Sequence, residues 1–118
     1  MKNRAFIERL RFALHGINAA FHHEKSFRAQ IITACATLAL FGVLQPGLIW
    51  WALIGVMIAL VLGAELINTA LEHLSDHLHP EIHPKIKIVK DCAAAAVLVF
   101  SIGAIWVGIL AVVSVVSN

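Results

Sequence analysis

Five polar residues follow a long apolar run in the middle of the chain, and their spacing places them on one face of a helix. They are Glu65, Asn68, Thr69, Glu72 and Asp76. No glycine or proline interrupts the segment before Pro80, so the apolar helix is predicted to continue into this polar stripe. Ionisable groups beside an apolar segment are costly to place and are usually functional. The alternative interpretation is a helix end whose carboxylates are simply solvated.

A second group of charges lies on a helix predicted to begin near Pro84. Lys87, Lys90 and Asp91 share one face of this helix, and Lys90 suits an anionic phosphate. Glu24 supplies a further carboxylate from the first third of the chain. Magnesium prefers one or two carboxylates together with phosphate oxygens, so carboxylates from different helices near one lysine suit a divalent cation that carries a polyphosphate.

Other common chemistries find little support in the sequence. His73 and His77 have the spacing of a helical zinc pair, but HExxH is absent and no third ligand is spaced to match. The chain also has no Walker-type loop and no GxGxxG. Ser75 has no histidine and acid at the spacing of a serine nucleophile site. Cys35 and Cys92 do not form a spaced framework, so neither a disulfide scaffold nor a zinc module is predicted.

The composition indicates a chain that lies in a membrane. Of the 118 residues, 60% are hydrophobic and 14% are charged, and the mean hydropathy is +0.87. Soluble domains are roughly half apolar and about a quarter charged. A globule of this size cannot bury so much apolar surface, which argues against a soluble enzyme, a nucleic-acid module and a disordered linker. The net charge of +2 is also too small to favour a nucleic acid partner.

Three apolar runs without charged residues predict three membrane helices, at about 28–45, 48–65 and 92–116. Only Gln45, Pro46 and Gly47 separate the first two. A Pro-Gly pair between apolar helices is a turn signal, so these spans are predicted to form a helical hairpin.

The basic residues predict the orientation of the spans. All nine lie between Lys2 and Arg28 or between Lys85 and Lys90. The positive-inside rule therefore predicts a cytoplasmic N-terminus, a cytoplasmic 65–92 segment and a C-terminus outside. The segment before the first span is charged throughout and does not resemble a cleavable signal peptide, so we expect a protein of the inner (cytoplasmic) membrane.

The segment 4–24 predicts an amphipathic helix that lies on the membrane surface. Its apolar residues recur at helical spacing, at Phe6, Leu10, Leu14, Ile17 and Phe21. A peripheral anchor without chemistry fits this segment alone equally well. Together with the spans, it predicts one all-α integral-membrane domain over residues 1–118.

The residues of the stripe and of the third span resemble the signature of a known family. Residues 64–72 read AELINTALE, Asp76 follows, and residues 87–99 read KIVKDCAAAAVLV. This pattern resembles the prokaryotic diacylglycerol kinase family, which includes undecaprenol kinases. The resemblance also reaches Gly16, Ala20, Phe21, Glu24, Phe27 and Arg28. It implies a homotrimer of three-span subunits with a surface helix, active sites shared between subunits, and ATP with Mg²⁺.

The resemblance also implies roles for single residues around the phosphate. Glu65 is similar to the general base that takes the proton from the lipid hydroxyl. Glu24 and Glu72 are similar to the carboxylates that bind the metal and the nucleotide. Asn68 and Lys90 resemble the residues that hold the transferring phosphate.

The remaining contacts implied by the resemblance belong to the nucleotide and the lipid. The nucleotide contacts are Asp91, Glu81, Ile82, His83 and Phe12, although Phe12 stands where the family often has an aromatic with a hydroxyl. The lipid contacts are Glu65, Phe27, Arg28, Gln30 and Arg9, with Arg4 as the alternative to Arg9. The alanine run 93–96 stands where a glycine is frequent.

The resemblance implies ATP-dependent phosphorylation of a membrane lipid alcohol, from diacylglycerol to phosphatidic acid. Undecaprenol, giving undecaprenyl phosphate, is the alternative acceptor. A non-enzymatic membrane scaffold is the alternative of another class, but a scaffold has no reason to keep the carboxylate stripe together with Lys90. The phosphate chemistry fits the residues, because phosphoryl transfer needs alignment and charge neutralisation more than covalent chemistry.

Overall fold

The computed structural model describes residues 5–117, and within this range the chain forms four α-helices. They are α1 (Phe6–His23), α2 (Lys25–Leu44), α3 (Leu48–Leu78) and α4 (Pro84–Val116). The last three are each long and apolar enough to cross a membrane. The prediction of an all-helical membrane protein with three spans is therefore confirmed. Two of these helices extend well beyond the predicted spans, since α3 continues past residue 65 and α4 begins before residue 92.

The chain leaves α1 at Glu24 without an intervening loop. Glu24 has an extended backbone (φ −113°, ψ 110°), and its N–H donates to the Ala20 carbonyl at 2.8 Å. Its own carbonyl then accepts from the Arg28 N–H at 3.2 Å, in the first turn of α2. The helix predicted over 4–24 thus ends one residue early, and its first residue, Arg4, lies outside the described residues. The break turns Glu24 from a helical residue into a hinge between two helices.

The connection between α2 and α3 is the Gln45–Gly47 turn that the sequence predicts. Gln45 has a left-handed backbone (φ 54°), which is uncommon for a residue with a side chain. Its N–H donates to the Phe41 carbonyl at 2.8 Å and its side-chain Nε2 to the Gly42 carbonyl at 2.6 Å. These bonds satisfy carbonyls that the end of α2 leaves without helical partners.

The buried core of the chain is small and lies near this turn. Phe41, Ile54 and Ala111 come from three different helices and pack together. The partly buried side chains around them are Leu44, Trp50, Trp51, Ile58, Val107 and Val112. Only 6% of the most apolar window of α4 is buried inside the subunit. The helices therefore direct most of their apolar side chains outwards, as spans surrounded by lipid or by other helices do.

The closest approach that a glycine allows between helices lies between α3 and α4. A Cβ atom at Gly103 would lie 3.0 Å from the Met57 Cε atom. Helices in lipid associate by such close packing of small residues. The backbone of α4 at Gly103 thus lies close to a side chain of α3.

Candidate active site

The polar stripe lies on the part of α3 that follows its most apolar half, and Glu65 begins it. Glu65 is only 4% exposed. Its carboxylate accepts from two donors on α2: the Ser26 hydroxyl is 3.1 Å from Oε2, and the Gln30 Nε2 is 3.5 Å from Oε1. A buried carboxylate is costly unless it is hydrogen-bonded, so these two residues are what allow Glu65 to occupy this position.

Asn68 and Glu72 form the next part of the stripe, one turn further along α3. The Asn68 Nδ2 donates to Glu72 Oε1 at 3.2 Å. The Asn68 Oδ1 is buried and has no hydrogen-bond partner among the described residues. An unpaired buried acceptor costs free energy, which a bound cation or donor would recover.

Glu24 reaches the same stretch of α3 from the junction of α1 and α2. Its Oε1 lies 2.8 Å from the His73 Nε2, and His73 directly follows Glu72 in the chain. Glu24 therefore contacts α3 one residue beyond Glu72, whose own carboxylate accepts from Asn68. His73 is a residue that the sequence analysis considered only as half of a zinc pair. The sequence offers one indication of a role for His73, which is that it directly follows Glu72.

The oxygen atoms of this region are of the kind that Mg²⁺ binds. Residues 5–117 contain no cluster of three His, Cys, Asp or Glu side chains that could hold a metal on their own. Glu24 and Glu72 nevertheless offer carboxylate oxygens, and the unpaired Asn68 Oδ1 offers a carbonyl oxygen. Mg²⁺ prefers hard oxygen donors and takes few of them from the protein when phosphate supplies the rest. The donor set therefore fits Mg²⁺ bound together with a polyphosphate.

Three charged residues of α4, Lys87, Lys90 and Asp91, are engaged in ion pairs. Lys90 contacts Asp76, the last carboxylate of the stripe, and so joins α4 to α3. Lys87 lies 2.5 Å from Asp91 on its own helix. The ammonium of Lys90 is thus held at the stripe by Asp76, a stripe residue for which the sequence predicted no individual role.

The residues expected to face the nucleotide include a loop between α3 and α4 whose polar groups bond locally. His83 Nδ1 accepts from the Lys85 backbone N–H at 3.1 Å, which caps the start of α4. His79 Nδ1 lies 3.1 Å from the Glu81 carbonyl oxygen. Ile82 is 96% exposed. Their nucleotide contacts, and that of Phe12 on α1, stay predictions.

The residues expected to contact the lipid occupy different environments. Phe27 is only 2% exposed, so its ring packs inside the subunit. Arg28 donates through Nη1 to the Phe21 carbonyl at 2.9 Å and the His22 carbonyl at 3.1 Å, and so caps the end of α1. Arg9 is exposed on α1. The structure thus assigns local structural contacts to two of these residues, and their lipid contacts stay predictions.

Gln30 links the buried carboxylate to a cavity between α2, α3 and α4. The cavity has a volume of about 400 Å³. Its wall is formed mainly by apolar or small residues, among them Thr33, Thr37, Phe41, Val61, Ala104 and Gly108. A groove of this character suits a hydrocarbon chain, and Gln30 on its wall contacts Glu65.

The sequence of the chain is similar to a known protein family and to several of its members. Residues 11–112 match the family described as Prokaryotic diacylglycerol kinase. A diacylglycerol kinase of Synechocystis sp. is 37% identical over 99 residues, which are 83% of this chain and 57% of that protein. An undecaprenol kinase of Bacillus subtilis is 33% identical over 95 residues, 80% of this chain and 77% of that protein. A diacylglycerol kinase of Haemophilus influenzae is 31% identical over 106 residues, 88% of this chain and 90% of that protein. The chain thus matches less than two thirds of the cyanobacterial relative's length, and relatives named for both lipid alcohols are similar to it.

Proposed function

The chain belongs to the prokaryotic diacylglycerol kinase family, and we propose that it is an integral-membrane lipid kinase that transfers the γ-phosphoryl group of ATP to diacylglycerol. The observation that carries this proposal is the buried Glu65, held by two donors from α2. Glu65 contacts Gln30, which lines an apolar cavity, and Asn68 with its unpaired Oδ1 follows one turn later on α3.

In this proposal, Glu65 is the general base. The lipid hydroxyl must lose its proton as its oxygen bonds to phosphorus, and a positioned carboxylate can accept that proton. A membrane lipid has its hydroxyl near the interface and its chains in the bilayer. The end of the apolar half of α3, where Glu65 lies, is where such a hydroxyl and a nucleotide from the aqueous side could meet.

The phosphate groups need charge neutralisation more than they need covalent chemistry. Glu24 and Glu72 would hold Mg²⁺, with the Asn68 Oδ1 as a third oxygen donor. The ion would neutralise charge on the phosphates of ATP. Asn68 is better suited to the metal than to the phosphate through this atom, because a carbonyl oxygen is an acceptor like the phosphate oxygens.

Lys90 would bind the transferring phosphate by exchanging partners. Its ammonium contacts Asp76 in the structure, and a phosphate oxygen can replace that carboxylate. Asp91, the 81–83 loop and Phe12 would complete the nucleotide site. Arg9, or Arg4 in its place, would be the lipid contact on α1.

Two features of the assembly belong to the same proposal. The distribution of basic residues favours a cytoplasmic N-terminus and 65–92 segment and an external C-terminus in the inner membrane. The poor burial of the spans within one subunit favours association with further copies, and the family resemblance favours a homotrimer. Its α1 would lie on the membrane surface.

Undecaprenol is the second candidate acceptor, since the Bacillus subtilis relative is named for it. A non-enzymatic scaffold is less consistent with the structure, because it would carry the cost of a buried Glu65 without a use for it.

The proposal is tested by offering purified protein each lipid alcohol separately in mixed micelles, with γ-labelled ATP and Mg²⁺. We expect labelled phosphatidic acid at a higher kcat/KM than labelled undecaprenyl phosphate. The reverse order would assign the enzyme to undecaprenol. If neither lipid alcohol gave a labelled product, the kinase proposal would be refuted.

A further inference from the structure

Ser26 is the part of the Glu65 site that neither the sequence motifs nor the family resemblance singles out. We propose that the Ser26 hydroxyl relays the proton of the lipid alcohol to the Glu65 carboxylate. The proposal rests on the proposed role of Glu65 as the base.

Ser26 is more exposed than the Glu65 carboxylate that it contacts. Glu65 is 4% exposed in a single subunit, and association with further subunits can only reduce this fraction. Ser26 is exposed in the first turn of α2, and its Oγ lies 3.1 Å from Glu65 Oε2. A lipid hydroxyl that approaches from outside the subunit can therefore reach the Ser26 oxygen more readily than the buried carboxylate.

The two groups that donate to the carboxylate differ in their ability to transfer a proton. Ser26 donates its O–H to Oε2, so its oxygen keeps lone pairs that can accept a further hydrogen bond. Gln30 donates an amide N–H to Oε1, and an amide nitrogen does not accept and release protons in this way. Of these two residues, only Ser26 can pass a proton through itself.

In the proposed step, phosphoryl transfer is coupled to the movement of two protons. The oxygen of the lipid alcohol forms a bond to the γ-phosphorus, and the bond between that phosphorus and the oxygen bridging to ADP breaks. The proton of the alcohol moves to Ser26 Oγ while the proton of Ser26 moves to Glu65 Oε2. Ser26 is unchanged at the end, ADP leaves with the bonding electron pair, and protonated Glu65 releases its proton to water.

The position of Ser26 next to the other site residues supports this assignment. It lies two residues after Glu24, which the α1–α2 junction directs to α3. The same first turn of α2 therefore carries the hydroxyl that contacts the base and follows the carboxylate proposed to hold the metal.

The test uses single-turnover rates of phosphoryl transfer by the full-length protein in mixed micelles, measured by rapid quench in mixtures of H₂O and D₂O. We expect Ser26→Ala to lower the rate roughly 10²-fold, the lower end of what a positioned proton-transfer group contributes. Ser26→Thr keeps a hydroxyl and should retain most of the rate. MgATP binding measured by calorimetry should be unchanged in both variants, which separates a lost relay from a misfolded protein.

The dependence of the rate on deuterium content separates a relay from a merely positioning role. In the wild type and in Ser26→Thr, two protons move in the transition state, so a plot of the rate against deuterium content should be curved. In Ser26→Ala only one proton moves, so the plot should be linear. Gln30→Ala, which removes the other donor to the same carboxylate, should keep the curve whatever its rate. A Ser26→Ala rate within about twofold of wild type, or the same dependence in both proteins, would overturn the relay. Absence of transfer by the wild type to any lipid alcohol would instead overturn the proposed function.

Discussion

At the scale of single residues, the site combines a satisfied carboxylate with an unsatisfied amide. Glu65 is buried but accepts from Ser26 and Gln30, so its cost is largely compensated. Asn68 donates to Glu72, yet its Oδ1 is buried without a partner among the described residues. The first arrangement holds the carboxylate in place, and the second leaves an oxygen that a bound ligand can use.

The unpaired oxygen predicts opposite effects of one substitution on stability and on binding. Asn68→Ala removes an unsatisfied buried acceptor, whose cost is typically about 1–3 kcal/mol. We therefore expect the free energy of unfolding in SDS titrations to stay at or slightly above the wild-type value. We also expect MgATP affinity, measured by calorimetry, to fall by about tenfold, the lower end for the loss of a group that supports a metal site.

Ile67→Ala is the matched control, because Ile67 precedes Asn68 on α3 and is exposed on another face. It should leave MgATP affinity unchanged. Equal affinity in Asn68→Ala and the wild type would contradict a role for this oxygen in binding the metal.

At the scale of the helices, the junction at Glu24 is anchored on both sides. The imidazole of His73 fixes the Glu24 carboxylate to α3, and Arg28 caps the last carbonyls of α1. The junction has no intervening loop, so movement of α1 relative to α3 would displace Glu24. The position of Glu24, a proposed metal ligand, thus depends on how three helices meet.

His73 is therefore expected to position Glu24. Groups that hydrogen-bond to metal ligands typically change metal affinity or activity by about 10–100-fold when they are removed. We expect His73→Ala to raise the KM for MgATP by about tenfold while kcat changes little. His73→Asn, which keeps a side-chain donor, should recover part of the affinity.

His77→Ala is the control for this experiment. His77 lies one turn further along α3 and is also exposed, but it does not contact Glu24 in the structure. Its substitution should leave the KM for MgATP unchanged. An equal change in His73→Ala and His77→Ala would show that the effect comes from the helix end and not from the contact with Glu24.

The packing of α3 against α4 gives a prediction about stability. A side chain at Gly103 meets the Met57 Cε atom. Gly103→Leu overpacks this contact, which typically costs about 1–3 kcal/mol, and should lower the SDS concentration at which the protein unfolds. Adding Met57→Ala makes room and should recover part of the loss. A double variant no more stable than Gly103→Leu alone would contradict this contact as the cause.

At the scale of the whole molecule, one subunit leaves most of its apolar surface without protein contacts. Only 11% and 6% of the most apolar windows of α2 and α4 are buried inside it. Glu24 contacts α3 at His73 and Glu72 lies on α3 itself, whereas Lys90 belongs to α4 and is paired with Asp76. Lys90 is therefore the site residue most easily supplied to a neighbouring subunit.

Subunit mixing tests whether the site is shared. Subunits with Glu65→Gln and subunits with Lys90→Ala are each expected to be inactive alone. If Lys90 acts in a neighbouring site, mixed trimers contain some sites with both wild-type residues, and part of the transfer activity should return. Mixed trimers that form but stay inactive would show that each subunit uses its own lysine.

Features set by neighbouring residues could be predicted from the sequence, whereas contacts between residues distant in the chain could not. Apolar runs and the absence of glycine or proline before Pro80 were enough to predict three helices and the polar end of α3. The end of the surface helix was predicted at Glu24, but the extended backbone of Glu24 itself was not, because its neighbours include no glycine or proline. The contacts of Ser26 and His73 join residues that are distant in the chain. Helical periodicity does not report such contacts, and Arg28 likewise gave no sign that it would cap α1.

The central claim is that Glu65 is the base for phosphoryl transfer to a lipid alcohol. The most direct measurement is the single-turnover rate of transfer from γ-labelled ATP to diacylglycerol by Glu65→Gln, with MgATP binding measured on the same preparation. The amide keeps the size of the side chain but cannot accept the proton, so the rate should fall by about 10²-fold or more while MgATP binding is retained. A Glu65→Gln rate close to that of the wild type would contradict the assignment of Glu65 as the base.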